Sequence, residues 1–199
     1  MSQFFESIRV VNGRVMNLSQ HQIRIDRTMK SINSKDFLDL KKHIATLDLS
    51  KLGVYKLRIS YNAHKAEILK TRFEAYEEKS INTLKLVDIN FKYEHKSENR
   101  EALNHAFTKK DGADDVLLVR NDLITDTWYY NVAFYNGEIW LTPKDALLQG
   151  TMRAKLIQTK KIIPSEIKVQ DIASFKKIRL FNAMIPWSEQ KDIPIKNIN

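Results

Sequence analysis

Residues 112–143 read GADDVLLVRNDLITDTWYYNVAFYNGEIWLTP, and this stretch decides how the chain is built. VLLV at 116–119 has the length and composition of a short apolar strand. VAFY and EIWLT flank Asn136-Gly137, a pair that readily takes the positive φ values of a tight hairpin turn. Between these strands Asp126 stands in ITDTWYYN, where, taken alone, it is a turn aspartate.

Downstream, Gly150 precedes TMRAKLIQTKK, which reads as a helix with Met152, Leu156 and Ile157 on its inner face. A strand, a helix and a strand then run to LFNAM. Upstream, HKSENREALNHAF at 95–107 places Lys96 just ahead of a helical run with Leu103, Ala106 and Phe107 on one face. LKLVDINF before it is a strand, and the polar run EEKSIN at 77–82 reads as a linker. The expected domains are therefore 1–80, a small N-terminal α/β domain, and 81–199, a larger C-terminal one.

Within the first domain FFESIRVV and RVMNL flank Asn12-Gly13, a second hairpin signature. Ser19 with Gln22 three residues on has the form of a capping box, opening a helix with Ile23, Met29 and Ile32 inward. Phe37, Leu40, Ile44 and Leu47 predict a second helix. From Val54 the period changes to two, with Tyr55, Leu57, Ile59 and Tyr61 on one face, and EILKTRFEAY is the expected partner strand. The overall expectation is a mixed α/β fold of α+β type.

Composition narrows the function classes. With 43% hydrophobic residues in 199, the chain can bury a core. It has no cysteine, so disulfides and thiolate metal sites are excluded. The first residues, MSQFFESIRV, do not resemble a signal sequence, and no apolar run approaches the ~20 residues of a membrane span; the expected location is cytoplasmic. The net charge of +9 suits anions. Lys and Arg are scattered among Asp and Glu, with short KK pairs at 41, 109, 160 and 176 and no nucleic-acid motif. Neither a nucleic acid nor a membrane is an expected partner. The five histidines lack zinc-like spacing, so no metal is expected.

Taken in order, His21-x-x-Arg24, Lys96-x-x-Asn99-Arg100, the 112–143 stretch, LLQGTMR at 147–153 and NAM at 182–184 resemble the class IV aminotransferases. These are the fold-type IV pyridoxal-phosphate enzymes, a group that includes branched-chain and D-amino-acid aminotransferases and 4-amino-4-deoxychorismate lyase. The resemblance covers nearly the whole chain. It implies a two-domain fold with a barrel-like sheet in the larger domain, pyridoxal 5'-phosphate held between the domains, and a homodimer. Longer relatives carry a segment ahead of the FFESIRV-like strand, and this chain begins close to that strand, so the resemblance implies a pocket wall that is absent or differently supplied.

The same resemblance implies roles. Lys96 would bond covalently to the cofactor and then move protons at the substrate α-carbon, since a desolvated amine near cations becomes a nucleophile and base at neutral pH. Asp126 would face the pyridine nitrogen, where better-known members carry Glu, and Asn131 is a further cofactor-binding position. Gly150, Thr151 and Met152 match the turn that holds the phosphate at a helix start, and Arg24 would add a charged contact. Tyr55, Arg58, Asn182 and Ala183 are candidates for the substrate. Trp128, Tyr129 and Tyr130 stand where relatives often have small residues, so some would narrow a pocket and others pack. His21 reads as a packing or hydrogen-bonding residue, and Arg153 as a structural arginine paired with a carboxylate. The expected substrate is an amino acid or amino-dicarboxylate. The expected reaction is lyase-like, releasing pyruvate and p-aminobenzoate, with amino-group transfer as the alternative and an inactive binding protein as the third reading.

Overall fold

The computed structural model describes residues 3–199. The chain divides into two compact units, the first running to Glu78 and taking in His95–Asn99, the second comprising Lys79–Glu94 and Arg100–Asn199. The sequence reading placed Lys96 in the later segment, whereas its short stretch folds with the first unit.

In the first unit β1 (Gln3–Val11) turns at Gly13, where φ is 77°, into the two-residue β2 (Arg14–Val15). α1 (Leu18–Ser31) and the short α2 (Leu40–Ile44) follow, then β3 (Val54–Asn62) and β4 (Glu67–Ala75). The sheet order is β2-β1-β3-β4, with β1 antiparallel to β3 and Phe4 opposite Tyr61, Glu6 opposite Ile59 and Ile8 opposite Leu57. Period two therefore sends Phe4, Ile8 and Val10 to the side of Leu57, Ile59 and Tyr61, where Ile25, Met29, Leu40 and Ile44 complete a core.

The helices depart from the sequence reading. The turn into α1 is made by Asn17 in the left-handed region, a conformation Asn tolerates. The helix thus begins at Leu18, and Ser19 already lies inside it. Gln22 does not close a capping box; its amide donates to the Leu38 carbonyl (2.8 Å) and accepts from the Leu40 N–H (2.9 Å), tying α1 to the start of α2. The buried face is His21, Arg24, Ile25, Thr28 and Met29, while Ile23 is 47% exposed. α2 is shorter than its apolar repeat: Asp39 caps it by accepting from Lys42 N–H, leaving Phe37 66% exposed ahead of the cap.

The second unit opens with β5 (Leu84–Asp88), α3 (Glu101–Thr108) and β6 (Asp115–Arg120), a parallel strand pair with α3 between them in sequence, and β7 (Leu123–Thr127) adds antiparallel to β6. Leu103 and Ala106 of α3 bury against Val87, Val116 and Leu118. β8 (Asn131–Tyr135) and β9 (Trp140–Pro143) form the hairpin read from Asn136-Gly137, whose glycine has φ 115°. α4 (Thr151–Gln158), β10 (Ile163–Ser165), β11 (Lys177–Phe181) and β12 (Asp192–Pro194) complete the unit, the segment between β10 and β11 forming a 3-10 helix. The strands make a three-stranded sheet, β5-β6-β7, and a five-stranded one, β10-β9-β8-β11-β12. Among the described residues no helix is long and apolar enough to cross a membrane.

Candidate active site

In the first unit a carboxylate stands where the strand pattern calls for an apolar residue. Glu6 points to the core side of β1 between Phe4 and Ile8, fully buried. α1 answers it with two residues one turn apart: Arg24 donates from Nε (2.8 Å) and Nη2 (2.5 Å), and His21 Nδ1 lies 2.5 Å away. Burial alone would push the Glu6 carboxyl up, but the Arg24 guanidinium and the His21 ring outweigh it and hold it at about 2. His21 is pushed down by the same burial, only partly offset by Glu6. Glu6 takes two donors of Arg24, and a guanidinium has five, so Arg24 is both a structural ion-pair partner and a potential anion donor. Glu6 was not among the residues singled out from the sequence, although a carboxylate in the core register of an apolar strand is a readable signal.

This cluster makes the unit acid-sensitive. Glu6 and His21 both bind protons less readily folded than unfolded, so their contribution is lost as pH falls, through the ordinary histidine range for His21 and from about 4.5 towards 2 for Glu6. Glu6→Gln is expected to cost about 3–5 kcal/mol near neutral pH, because Arg24 keeps its charge without a partner. Chemical denaturation of both chains from neutral to acid pH checks this: the gap must narrow as Glu6 protonates.

Lys96 sits in a short stretch laid against β1 of the same unit. Its carbonyl accepts from Phe5 N–H (3.0 Å), Glu98 N–H donates to the Gln3 carbonyl (2.9 Å), and Ser97 lies opposite Phe4. The Lys96 ammonium stands 4.7 Å from the Phe5 ring centroid. Of the substrate candidates on β3, Arg58 donates to Glu98 (2.5 Å) and covers the Phe5 ring at 3.6 Å, whereas Tyr55 faces the other way against Phe73 at 4.7 Å.

In the second unit Asp126 ends β7 with 5% exposure. Its carboxylate accepts from Asn131 Nδ2 (2.8 Å) and from Leu148 N–H (2.8 Å). Burial pushes it up to about 6 despite those two donors. Asn131 also donates to the Leu148 carbonyl (2.9 Å), so it braces the loop leading to Gly150. The backbone of Gly150 is extended, with φ −66°, and its lack of a side chain matters for space: a Cβ there would lie 1.9 Å from Asn131 Oδ1. Thr151 and Met152 open α4, whose first-turn amides lie beyond the reach of intrahelical carbonyls. Arg153 is buried and donates to Gln149 (2.7 Å) and to the Pro143 carbonyl (2.7 Å), so its hydrogen-bond partners are an amide and carbonyls, with no carboxylate among the described ones.

Asn182 caps its own turn by accepting from Met184 N–H (2.8 Å), with Ala183 half-buried between them. Trp128 stacks on Phe107 at 4.0 Å and donates to Asn104, Tyr130 is buried, and Tyr129 is half exposed under Arg100 at 4.5 Å. The structure therefore gathers Lys96, Arg24, Tyr55 and Arg58 in the first unit, and Asp126, Asn131, Gly150, Thr151, Met152, Asn182 and Ala183 in the second.

The profile of the family described as amino-transferase class IV matches residues 3–193. The chain belongs to that family. A solved Haemophilus somnus structure, provisionally named a 4-amino-4-deoxychorismate lyase, is 32% identical over 92% of this chain and 97% of its own, with a TM-score of 0.82. An uncharacterized Haemophilus influenzae protein is 29% identical over 92% of this chain and 98% of its own. A hypothetical aminotransferase of Mycobacterium tuberculosis in its PLP-bound form shares the fold at 14% identity, covering 99% of this chain and 81% of that one, with a TM-score of 0.78.

Class IV aminotransferases depend on pyridoxal phosphate, and the donor set of the second unit fits that group. A desolvated carboxylate held near pH 6 gains from a cationic ring N–H, and a glycine-opened helix start with no acidic residue in its first turn suits a phosphate. Gly150→Ala is expected to displace Asn131, weaken cofactor binding at least about tenfold and cost about 1–3 kcal/mol of stability. Cofactor titration followed by absorbance, with melting of the apo chain, checks both.

Proposed function

We propose that this class IV aminotransferase relative acts on an amino-acid-like substrate through removal of its α-proton, with the 4-amino-4-deoxychorismate lyase reaction as its most supported activity. The observation that carries the enzyme reading is the Asp126–Asn131–Gly150 arrangement, a buried carboxylate braced beside a glycine-opened helix start. The lyase assignment draws support from the 32% identity to the Haemophilus somnus protein of that provisional name and from the surplus of nine positive charges, which suits a dicarboxylate.

When bound, pyridoxal phosphate supplies an electron-withdrawing ring that accommodates the electron pair left at the substrate α-carbon. Lys96 is the amine that would hold the cofactor and the base that would take the substrate α-proton. Asp126, kept in place by Asn131 and Leu148, would accept from the ring nitrogen. Gly150, Thr151 and Met152 offer backbone donors to the phosphate, and Arg24 offers the donors Glu6 leaves available. Arg58, Tyr55, Asn182 and Ala183 are the positions from which substrate carboxylates would be recognised. The same family reading carries a cytoplasmic homodimer, which light scattering would show as twice 23.3 kDa.

The test is to supply 4-amino-4-deoxychorismate with pyridoxal phosphate and follow pyruvate and p-aminobenzoate together. Equimolar release supports the lyase; amino-group transfer to a keto acid without pyruvate from that substrate overturns it in favour of transamination.

A further inference from the structure

The strip around Lys96 turns tightly, Ser97 N–H donating to the His95 carbonyl (2.8 Å), and its side chains meet β1 on its two faces. His95 meets Phe4 edge-on at 6.0 Å and reaches Ser31 of α1 at 3.0 Å, while Ser97 lies opposite Phe4. On the other face one aromatic ring collects the charges: Lys96 stands 4.7 Å and Arg58 3.6 Å from the centroid of Phe5. Glu98 accepts from Arg58 (2.5 Å) and from Ser60 (2.6 Å), the residue paired with Phe5 across the β1–β3 ladder. The Arg58 Nε is buried with no acceptor among the described residues, so the guanidinium is held by Glu98 and the ring. Two cations thus contact one aromatic ring, and a single anion is fixed between β3 and the strip.

We propose that Glu98 and Arg58 are positioning residues for Lys96: they fix the amine over Phe5, and their opposite charges set the pH at which it becomes a free nucleophile. The consequence for catalysis rests on Lys96 being the cofactor-bonding residue. Removing Glu98 leaves Arg58 uncompensated and disfavours the ammonium, whereas removing Arg58 leaves a carboxylate that favours it. Other charged groups of this unit are His95, turned towards α1, the Glu6–His21–Arg24 cluster on the opposite side of β1, and Lys70 and Arg72 of β4, paired with Ser60 and Arg58; none is altered in the variants.

Trace acetylation of the full-length, cofactor-free chain across about pH 6 to 11, with peptide mapping, reads the protonation midpoint of Lys96 directly. Glu98→Gln is expected to lower that midpoint and Arg58→Met to raise it, each by about half to one pH unit. The double variant returns towards the parent, and Arg58→Lys, which keeps the charge, stays with it. Shifts of the same sign in both single variants, or no shift in either, overturn the proposal. Adding pyridoxal phosphate and borohydride to the same samples tests the underlying reading separately, since a parent chain that fixes no cofactor on residue 96 sinks the enzyme assignment whatever the acetylation shows.

Discussion

Lys96→Ala is expected to abolish measurable turnover, a loss of about 10³-fold or more, and to leave borohydride with no cofactor to fix on residue 96. Both losses follow from the proposal that one amine serves as covalent anchor and as base. The fold should survive, because what the strip contributes to the sheet is backbone: the carbonyl of residue 96 still accepts from Phe5, and Glu98 still reaches Gln3, Arg58 and Ser60. Stability should stay within about 1 kcal/mol of the parent. Absorbance of the cofactor-loaded chain, peptide mapping after reduction and a denaturation curve together make the check. A variant that still carries reducible cofactor on another lysine and still turns over would remove Lys96 from the mechanism.

Asp126→Ala is expected to bind the cofactor more weakly and to slow α-proton removal by about 10²- to 10³-fold, since the carboxylate that would keep the ring nitrogen protonated is gone. The sign of its pH dependence is defined. Asp126 ionises near 3.8 when unfolded and near 6 when folded, so its stabilising contribution is present below about 3.8 and is lost as pH rises through about 6. The apo parent should therefore lose stability relative to the variant between those values. Asp115, also pushed up to about 6 by burial, is common to both chains and cancels in the difference. Pyridoxal phosphate added at about pH 7.5 should raise the melting temperature of the parent more than that of the variant. Equal stabilisation of the two would place the ring nitrogen elsewhere.

Much of this molecule could be read along the chain. Asn12-Gly13 and Asn136-Gly137 marked their hairpins: the first makes a two-residue turn with both residues at positive φ, and in the second, a four-residue connection, Gly137 takes the positive φ. The period-two run from Val54 became β3 with Leu57, Ile59 and Tyr61 buried together. The errors came where polar residues go inside. α1 was expected to bury Ile23 and instead turns His21, Arg24 and Thr28 inward, a choice hydropathy cannot anticipate because the compensating carboxylate is on another strand.

What the sequence determined by itself was local: turn positions, strand alternation, and the ordered motifs that mark the family, all set by residues a few positions apart. Only tertiary structure decided that Lys96 is docked by its backbone onto β1, that Arg24 is bound to Glu6, that Asn131 braces both Asp126 and the Leu148 carbonyl, and that Gly150 is small because Asn131 needs its space. Each of these depends on charges or atoms brought together from distant parts of the chain. Burial then changes their chemistry, because a charge removed from water is tolerable only beside the partner that folding delivers.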